Sequence, residues 1–427
     1  MRKFLLLLMV SVLILSTLTA CYDAHEINDF AYVYTIGLDK GVTDVLRMTV
    51  QMPTMKKEGG GGQKRGPSGG SDTQEQDGYV SISIDAPTFY SGANMINSYL
   101  PRTLNYMHTK YFVISEELAR EGIGAYINGF VRNREIRRTV YMIVTKGKAS
   151  DFIKQNSPLV GTALSKMQED IMRESLETGL FHNTTYGEVI DAAKSPARTA
   201  ITVLAAVNDF KKFEQEEQTD EKEFRTSGDY YAGELVRSGG NKVEYFGTAI
   251  FDGDKMVGEL NGDESRMMLM ARGEFKRGFF AIKDPKKPDT AITLDVRMEK
   301  KPSTKVMYEN NKPVIHQKIT LEGDIMAIQS SVNYESKDLK PVIENEFRNY
   351  VKGEMQKTIE KCKGLNADVF KYGLTAQMSF ATRQEWLQYE WYRQFKDAEV
   401  STDVEFAIRR TGTMIKTSPI LSTEGEE

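Results

Sequence analysis

The sequence predicts an α+β (mixed α/β) protein of three domains, each a mostly antiparallel or mixed sheet packed with helices, behind a cleaved leader. Segments in which apolar and polar residues alternate are interspersed with segments of helical period, which indicates strands and helices in one chain. The chain has 427 residues, and a single hydrophobic core usually stops growing at about 250–300. Hydrophobic residues make up 40% and charged residues 27% of the chain, which is typical of folded domains.

The N-terminal segment predicts a bacterial lipoprotein signal. Arg2 and Lys3 precede an apolar run over 4–15, and small residues precede Cys21. A basic head, a short apolar run and small residues before a cleavage site are typical of a removable signal. The run is shorter than the ~20 residues of a membrane-spanning helix. We therefore expect residues 1–20 to be removed and Cys21 to carry a diacylglyceryl group. An ordinary secretory signal is the alternative, and it would still export the protein.

Residues 21–29 are predicted to be the lipidated cysteine and its short tether, and 30–210 an N-terminal mixed α/β domain. Strands predicted over 45–52 and 79–84 flank the stretch 56–78, whose Gly, Ser, Gln and charge predict a flexible loop. Further strands are predicted over 30–38, 110–114 and 140–145, and helices over 93–100, 158–177 and 186–193, with Ser115 as a helix N-cap.

Residues 211–276 are predicted to form an acidic linker and a small middle domain. The boundary is the acidic stretch 211–226, which contains few large apolar residues. Strands around 247–251 and 256–257 flank an Asp-Gly turn at Gly253, which is typical of a hairpin.

Residues 277–417 are predicted to form a C-terminal α+β domain, followed by a disordered acidic tail over 418–427. Apolar residues at three- and four-residue steps predict a helix over 340–361 that places Cys362 on its buried side, with Gly364 as its stop. Further elements are strands over 291–298 and 318–328, a helix over 386–395 with Leu387, Trp391 and Phe395 on one side, and an alternating strand over 400–408.

The sequence provides no convincing catalytic or cofactor site. The segment 66–70 matches a hydrolase G-x-S-x-G pattern, but it falls in the predicted loop instead of a strand-turn-helix. The four histidines are dispersed, which disfavours a metal site. The formal net charge of −4 disfavours a nucleic-acid partner, which would require a basic stripe. If Cys21 carries lipid, Cys362 has no partner for an internal disulfide.

Two aromatic or methionine-rich segments allow two interpretations each. Trp386 and Trp391, beside Glu385 and Glu390, could form a ligand cage, but packing of the aromatic side on a sheet is favoured. The run over 267–270 could be an adaptable partner surface, but core filling is favoured.

Short segments in a fixed order over most of the chain carry a resemblance to a known family. They are Cys21-Tyr22-Asp23, Glu26-Ile27-Asn28, 114–119, 132–137, 145–149, 247–251, 254–260, Asn366, Asp368, Gly373, Trp386, Trp391, Phe395 and 409–412. In this order they resemble the spore germination lipoprotein family Ger(x)C, the C subunits of nutrient germinant receptors. The family typically has tryptophan after the cysteine, where this chain has Tyr22, and the loop 56–78 is longer than the family's.

The resemblance implies three mixed α/β domains, no enzymatic activity and residence on the outer face of the inner spore membrane. It also implies a complex with two membrane-embedded subunits, of the A and B types, that together respond to nutrients. Neither the motifs nor the resemblance implies a cofactor, and Cys21 alone receives a defined chemical role. The alternative is an extracytoplasmic substrate-binding lipoprotein that captures a small nutrient between two lobes.

Overall fold

The computed structural model describes residues 1–17, 26–54, 75–76, 78–158, 163–214, 224–412, 414, 416–417, 421–422 and 425–426. The predicted loop over 56–78 therefore lies almost entirely outside the described residues, as does the serine of the G-x-S-x-G pattern.

The helices follow one another along the described chain. They are α1 (Arg2–Thr17), α2 (Phe89–Asn97), α3 (Glu116–Glu121), α4 (Gly124–Phe130), α5 (Ala149–Gln155), α6 (Leu164–Thr178), α7 (Tyr186–Ala193), α8 (Lys211–Glu214), α9 (Gly262–Arg272), α10 (Lys340–Gly364), α11 (Tyr372–Ala376), α12 (Arg383–Tyr389) and α13 (Trp391–Phe395). Single 3-10 turns lie at Ile27–Asp29 and Gln377–Ser379.

The strands alternate with these helices. They are β1 (Phe30–Tyr32), β2 (Thr35–Lys40), β3 (Leu46–Pro53), β4 (Glu75–Gln76), β5 (Tyr79–Ala86), β6 (Thr103–Asn105), β7 (Tyr111–Ser115), β8 (Tyr141–Lys146), β9 (Ile201–Val207), β10 (Val243–Asp252), β11 (Lys255–Leu260), β12 (Arg277–Lys283), β13 (Ala291–Glu309), β14 (Lys312–Ile328), β15 (Glu399–Arg410), β16 (Leu421–Ser422) and β17 (Gly425–Glu426). Mixed sheets packed with helices confirm the α+β fold class.

In the part of the chain that the structure describes, the first sheet has the strand order β11-β10-β9-β8-β7-β2-β3-β5-β4. Its central strands β2, β7, β8 and β9 are parallel, and the outer pairs are antiparallel. Among the central strands, β7 and β9 are apolar along nearly their whole length and almost fully buried. That pattern is typical of strands covered on both faces.

Helices cover both faces of the first sheet. Neighbouring side chains of a strand point to opposite faces, so Phe112 and Ile114 pack in one core with α2, α3, α4 and α7. Tyr111 and Val113 pack in the other core with α5 and α6. The predicted capping serine is correct, because the Ser115 hydroxyl accepts the Leu118 N–H at the start of α3. The result is a three-layer unit.

The strands predicted inside a middle domain extend the first sheet, which corrects the expectation of a separate small unit. β10 pairs antiparallel with β9, and β11 pairs with β10 through the predicted Asp-Gly turn. The physical reason is burial. The β10 segment is covered over most of its length and requires a hydrogen-bonding partner on each side. β9 supplies one side and β11 the other.

The second sheet has the order β12-β13-β14-β15, with β14 and β15 parallel and the other pairs antiparallel. α10 covers it and buries Phe347, Val351, Met355, Ile359 and Cys362. The predicted buried stripe is therefore confirmed, including the cysteine. β15 shows the predicted alternation from residue 402 to 408.

β13 and β14 form a hairpin much longer than the strands predicted for it. The two strands stay paired as far as Glu309 and Lys312, and the turn residues Asn310 and Asn311 have φ of 50° and 65°. Left-handed backbone at both central positions fits a two-residue hairpin turn, and asparagine tolerates it. The outer half of β13 is half-buried or exposed, so it lacks the apolar alternation of an ordinary strand.

Three predictions in the C-terminal region are wrong in detail. The helix expected over 386–395 is broken at Glu390, whose φ is 51°. Leu387, predicted to share a side with Trp391 and Phe395, is instead 49% exposed. α10 continues through Gly364, and the left-handed residue is Asn366. Within the tail 418–427, β16 and β17 pair with each other, so the tail is not wholly without structure.

Gly247 makes the extension of the first sheet possible. It lies at an irregularity in the β9/β10 register, with φ of 90°, and a Cβ there would overlap the carbonyl oxygen of Leu260. We expect Gly247→Ala to lower the free energy of unfolding by about 2–5 kcal/mol, from strain plus overpacking. Denaturation in urea measures this loss.

The matched control is Gly253→Ala in the β10/β11 turn. Gly253 also has positive φ, at 58°, but a Cβ at this position would meet open space, so a loss of only about 1 kcal/mol is expected. Equal losses for the two variants would contradict the role given to Gly247.

Candidate functional site

The predicted lipidation residue, Cys21, lies outside the described residues, and the described body begins at Glu26. Among the helices that the structure describes, none combines the length and apolar character needed to cross a membrane. Across the same residues, no group of three or more His, Cys, Asp or Glu side chains is arranged to hold a metal ion. A cluster of buried charged groups, which includes Asp263 and Arg266, lies where the two sheets meet.

α9 lies between the two sheets and packs on β10 from the first and on β13 and β14 from the second, with α10 beside it. Asn261 and Glu264 form a capping box at its start, which satisfies exposed N–H groups of the first turn. Residues 267–270 are all buried. This part of α9 is covered on every side, and its residues are apolar all round, so the core interpretation of the methionine run is confirmed.

Arg266 on α9 contacts elements from both sides of this joint. Its guanidinium donates from Nε and Nη2 to the carbonyl oxygen of Thr178, at 3.1 and 3.0 Å. That carbonyl is at the C-terminal end of α6, where helix dipoles favour a cation. The guanidinium carbon lies 4.3 Å from the ring centre of Phe280 on β12. One side chain thus joins a helix of the first unit to a strand of the second.

Asp263 is the anionic partner of Arg266. Oδ1 lies 3.3 Å from Nη1 of Arg266, and the two side chains are 5% and 3% exposed. The Tyr350 hydroxyl, on α10, donates to Oδ2 at 3.1 Å, and the Thr226 hydroxyl donates to the same oxygen. Burial raises the pKa of Tyr350, and the charge of Asp263 raises it further. The phenol therefore remains a hydrogen-bond donor at neutral pH.

Two lysine–glutamate pairs flank the same joint. Nζ of Lys361, on α10, lies 2.6 Å from Oε2 of Glu264 and donates to the Tyr231 hydroxyl at 3.0 Å. Burial alone would lower the pKa of Lys361, but these two hydrogen bonds outweigh it and raise the pKa. Nζ of Lys146, on β8, lies 3.0 Å from Oε1 of Glu259 on β11. The pair with Glu264 therefore holds the Lys361 ammonium in its charged form.

A second polar cluster surrounds Glu274, just after α9. Its Oε2 lies 3.1 Å from Nε2 of His182 and 2.7 Å from Nε of Arg272, and Lys371 pairs with its other oxygen. Burial alone would raise the pKa of Glu274, but the His182 hydrogen bond and the charges of Arg272 and Lys371 lower it well below its usual range. Burial lowers the pKa of Lys371, and the charge of Arg272 lowers it further.

Thr184, His182 and Glu274 form a chain of contacts similar to a nucleophile, base and carboxylate. Nδ1 of His182 lies 2.7 Å from the Thr184 hydroxyl, opposite the ring nitrogen that meets Glu274. Thr184 is 2% exposed, and the adjoining cavity has a volume of about 120 Å³. Small-molecule sites usually occupy ~300–1,000 Å³. The arrangement therefore fixes the joint and offers a substrate no access to the hydroxyl.

His316 and Ser401 form another histidine–hydroxyl contact, on the second sheet. Nδ1 lies 2.6 Å from the serine oxygen at an exposed site. An activated serine requires a third group that orients the imidazole, and the described residues place no carboxylate on the other nitrogen of His316. Of the remaining histidines, His108 packs edge-on against Tyr32 at 4.8 Å, and His25 lies outside the described residues.

The tryptophans pack in the core, as favoured from the sequence. Trp391 is 1% exposed and its Nε1 donates to Oδ2 of Asp368 at 3.0 Å. Trp386 is 4% exposed and lies against Phe380, with ring centres 5.3 Å apart. Cys362 is buried, and burial raises the pKa of its thiol well above the usual range. A thiol held in its neutral form is a weak nucleophile.

The joint between the sheets has no recognisable pattern in the sequence. Glu274 is 97 residues from Lys371 along the chain and about as far from His182, so no local spacing relates the three. The signal that was available is the capping box at Asn261 and Glu264 shortly before the apolar run 267–270. It locates the start of α9 but not the groups that α9 meets.

The Arg266–Asp263 pair gives a quantitative prediction. Arg266→Met and Asp263→Asn are each expected to lower the free energy of unfolding by about 3–5 kcal/mol, because each leaves a buried group without its partner. The double variant should lose less than the sum of the two single losses. Urea denaturation of all four chains measures the coupling.

The control for this cycle is the exposed pair of Lys318 and Glu405, whose side chains are 49% and 52% exposed. Lys318→Met and Glu405→Gln should each leave stability nearly unchanged, because an exposed ion pair is screened by water. Additive losses at Arg266 and Asp263 would show that the two residues do not act as a pair.

Glu274 gives a pH-dependent prediction. Its pKa is lower in the folded chain than the ordinary ~4.3, so its contribution to stability is present above that value and is lost as the pH falls below it. Glu274→Gln should therefore cost about 1–3 kcal/mol at neutral pH and progressively less below about pH 4. Thermal or urea unfolding across that range measures the effect.

Glu309, exposed at the tip of the β13/β14 hairpin, provides the matched control. Glu309→Gln should leave stability nearly unchanged at every pH. A Glu274→Gln loss that is the same at low and at neutral pH would contradict the role given to the ionised carboxylate.

Comparison with known proteins places this architecture in a family. A family model described as "Spore germination protein N-terminal domain" matches residues 23–206. A second, described as "Spore germination B3/ GerAC like, C-terminal", matches residues 246–412. The crystal structure of the GerBC protein superposes with a TM-score of 0.53 at 17% identity, covering 87% of this chain and 96% of that chain, which shows a shared fold.

Curated relatives match along nearly their whole length. The chain is 25% identical to spore germination protein KC of Bacillus subtilis (strain 168), over 98% of each chain. It is 23% identical to putative spore germination protein YfkR of the same organism, over 98% of this chain and 99% of the relative. For spore germination protein B3 of that organism the identity is 22%, over 95% and 98%. With family models matching both its N-terminal and its C-terminal parts, this chain belongs to the Ger(x)C family of spore germination proteins.

Proposed function

We propose that this chain is a non-catalytic, lipid-anchored subunit of a spore nutrient germinant receptor. In this proposal a diacylglyceryl group on Cys21 holds it on the outer face of the inner spore membrane. There it acts with two membrane-embedded subunits, of the A and B types, to trigger germination. The observation that carries the proposal is the match of both family models to one chain, together with germination proteins that are covered almost end to end.

The position of Cys21 supports the anchor. The described body begins at Glu26, five residues after the cysteine. A chain of that length spans at most about 18 Å, so an acyl group on Cys21 would keep the body close to the bilayer. Two acyl chains suffice for stable attachment, since each buried methylene contributes ~0.8 kcal/mol.

The buried polar groups support a structural role instead of catalysis. Asp263, Arg266 and Glu274 each have charged and hydrogen-bonding partners that hold them in place. A general acid or base must be free to exchange a proton with a substrate. These groups join the two sheets, which suits a subunit that must keep its shape while bound to partners.

The cavity at the joint argues against the alternative of direct nutrient capture. A substrate-binding lipoprotein encloses its ligand between two lobes. Here α9 and its ion pairs occupy the space between the sheets, and the cavity beside His182 measures about 120 Å³. Calorimetry of the mature chain against amino acids and sugars distinguishes the two functions, because tight binding by the isolated chain would favour the alternative.

The anchor gives a direct prediction. Cys21→Ser should leave the body folded, because the cysteine precedes the described body, but should move the protein from the membrane fraction to the soluble fraction. Fractionation of spores with immunodetection measures the change. Cys362→Ser is the control, and it should remain in the membrane fraction because its thiol is buried in α10.

An unchanged membrane fraction for Cys21→Ser would disprove lipid anchoring through this residue. Partnership has a separate test, which is co-purification of the two membrane-embedded subunits with the wild-type chain from detergent-solubilised spores. Recovery of the chain without either subunit would disprove the receptor complex while leaving the anchor intact.

A further inference from the structure

One surface of the N-terminal unit combines exposed arginines with exposed aromatic and methionine side chains. We call it the tether-side face, because it adjoins the start of the described body. Its residues are Arg132, Arg134, Arg137, Tyr90, Met95, Tyr99, Met107 and Val131. These exposed side chains do not contribute to the joint between the sheets or to the cores of the N-terminal unit.

The pairing of β1 with β6 fixes where the tether meets this face. The two strands are parallel, with Phe30 opposite Thr103. The residues that precede each strand therefore lie at the same end, which brings Ile27 and Tyr99 to one edge of the molecule. The side chain of Ile27 is 73% exposed and that of Tyr99 is 59% exposed. Ile27 is six residues from Cys21, a distance of at most about 20 Å.

α2 connects this edge to the arginines. Its inner side buries Phe89, Ala93 and Ile96, which leaves Tyr90 and Met95 on the outer side, each 41% exposed. At its far end the Tyr90 hydroxyl donates to the carbonyl oxygen of Gly129 at 3.3 Å. At its near end the Asn97 side chain accepts the Leu104 N–H of β6 at 3.0 Å.

The arginine segment is attached to the same strand. Oε2 of Glu135 accepts the Tyr106 N–H, just after β6, at 3.1 Å, so the acidic residue of the segment is committed to the backbone. Arg138 pairs with Asp191 at 2.5 Å. Within the described residues, no carboxylate pairs with the other three arginines of the segment. Arg132 and Arg134 line a depression of about 790 Å³ beside Tyr90.

We infer that the tether-side face docks on an anionic phospholipid surface and so orients the body on the membrane. This inference rests on the proposed anchor at Cys21, which brings the face within reach of the bilayer. The chain as a whole is acidic, with a formal net charge of −4, so an anionic bilayer repels most orientations of the body. Exposed basic residues next to aromatic ones are typical of surfaces that rest at a membrane interface.

The contribution of the arginines to the binding free energy sets the expected loss of vesicle binding. Each Lys or Arg near an anionic bilayer contributes about 1 kcal/mol, and a factor of ten corresponds to about 1.4 kcal/mol. Replacing the three arginines by glutamine should therefore weaken binding on the order of 100-fold. Since the Debye length is ~10 Å at 0.1 M salt, the binding should also weaken as ionic strength rises.

The test uses the mature chain from residue 21 onward with Cys21→Ser, so that no acyl chain contributes. Its sedimentation with vesicles of phosphatidylcholine and phosphatidylglycerol is compared with vesicles of phosphatidylcholine alone. The variant is Arg132→Gln, Arg134→Gln and Arg137→Gln together. The matched control removes the same charge from Lys300, Lys301 and Lys305, which are exposed on β13.

The inference predicts binding to the anionic vesicles only, lost in the arginine variant and retained in the lysine control. Equal binding to both vesicle types, or equal loss in variant and control, would overturn it. If the arginine variant binds vesicles normally but its spores germinate poorly, the face serves a protein partner and the membrane assignment is wrong. Lipid anchoring through Cys21 is tested separately, by fractionation of spores that carry the full chain with Cys21→Ser.

Discussion

The buried ion pair of Arg266 and Asp263 is the constraint on which the arrangement of the two sheets depends. Removing two charges from water is unfavourable unless every donor and acceptor finds a partner. Here the partners come from different parts of the chain: the end of α6, the segment before β10, and the helix α10. The pair is stable only when these elements are in register. Because both side chains are buried, the stability of the pair depends on the relative position of the two units.

Much of the fold could be predicted from the sequence because local patterns determine it. The alternation in β15 and the three- and four-residue steps in α10 report directly which side is buried. The prediction failed where pairing is non-local or the pattern is weak. The sequence of β10 does not indicate that it pairs with β9. The exposed half of β13 has no apolar alternation, so its length could not be predicted. The break at Glu390 was missed because apolar residues continue at helical spacing on both sides of it in the sequence, and glutamate does not mark a left-handed backbone position.

The joint could not be predicted for a related reason. Its charged residues satisfy one another across long stretches of chain, and each alone resembles an ordinary surface residue. Burial converts them into structural groups, and burial is a property of the whole fold. Cys21 is the opposite case, because a leader is recognised as a linear pattern and requires no fold. Cys21, which is proposed to define the protein's location, could be predicted from the sequence. The residues that hold the two sheets together could not.

The pairing of β10 with β9 also affects how the chain folds during synthesis. The N-terminal family model ends at residue 206, within β9, and the C-terminal model begins at 246, within β10. A ribosome adding ~5–20 residues per second leaves the edge of β9 unpaired for a few seconds before β10 emerges. An open edge is prone to join another chain. Because β9 and β10 pair with each other, either half alone would expose an unpaired strand edge.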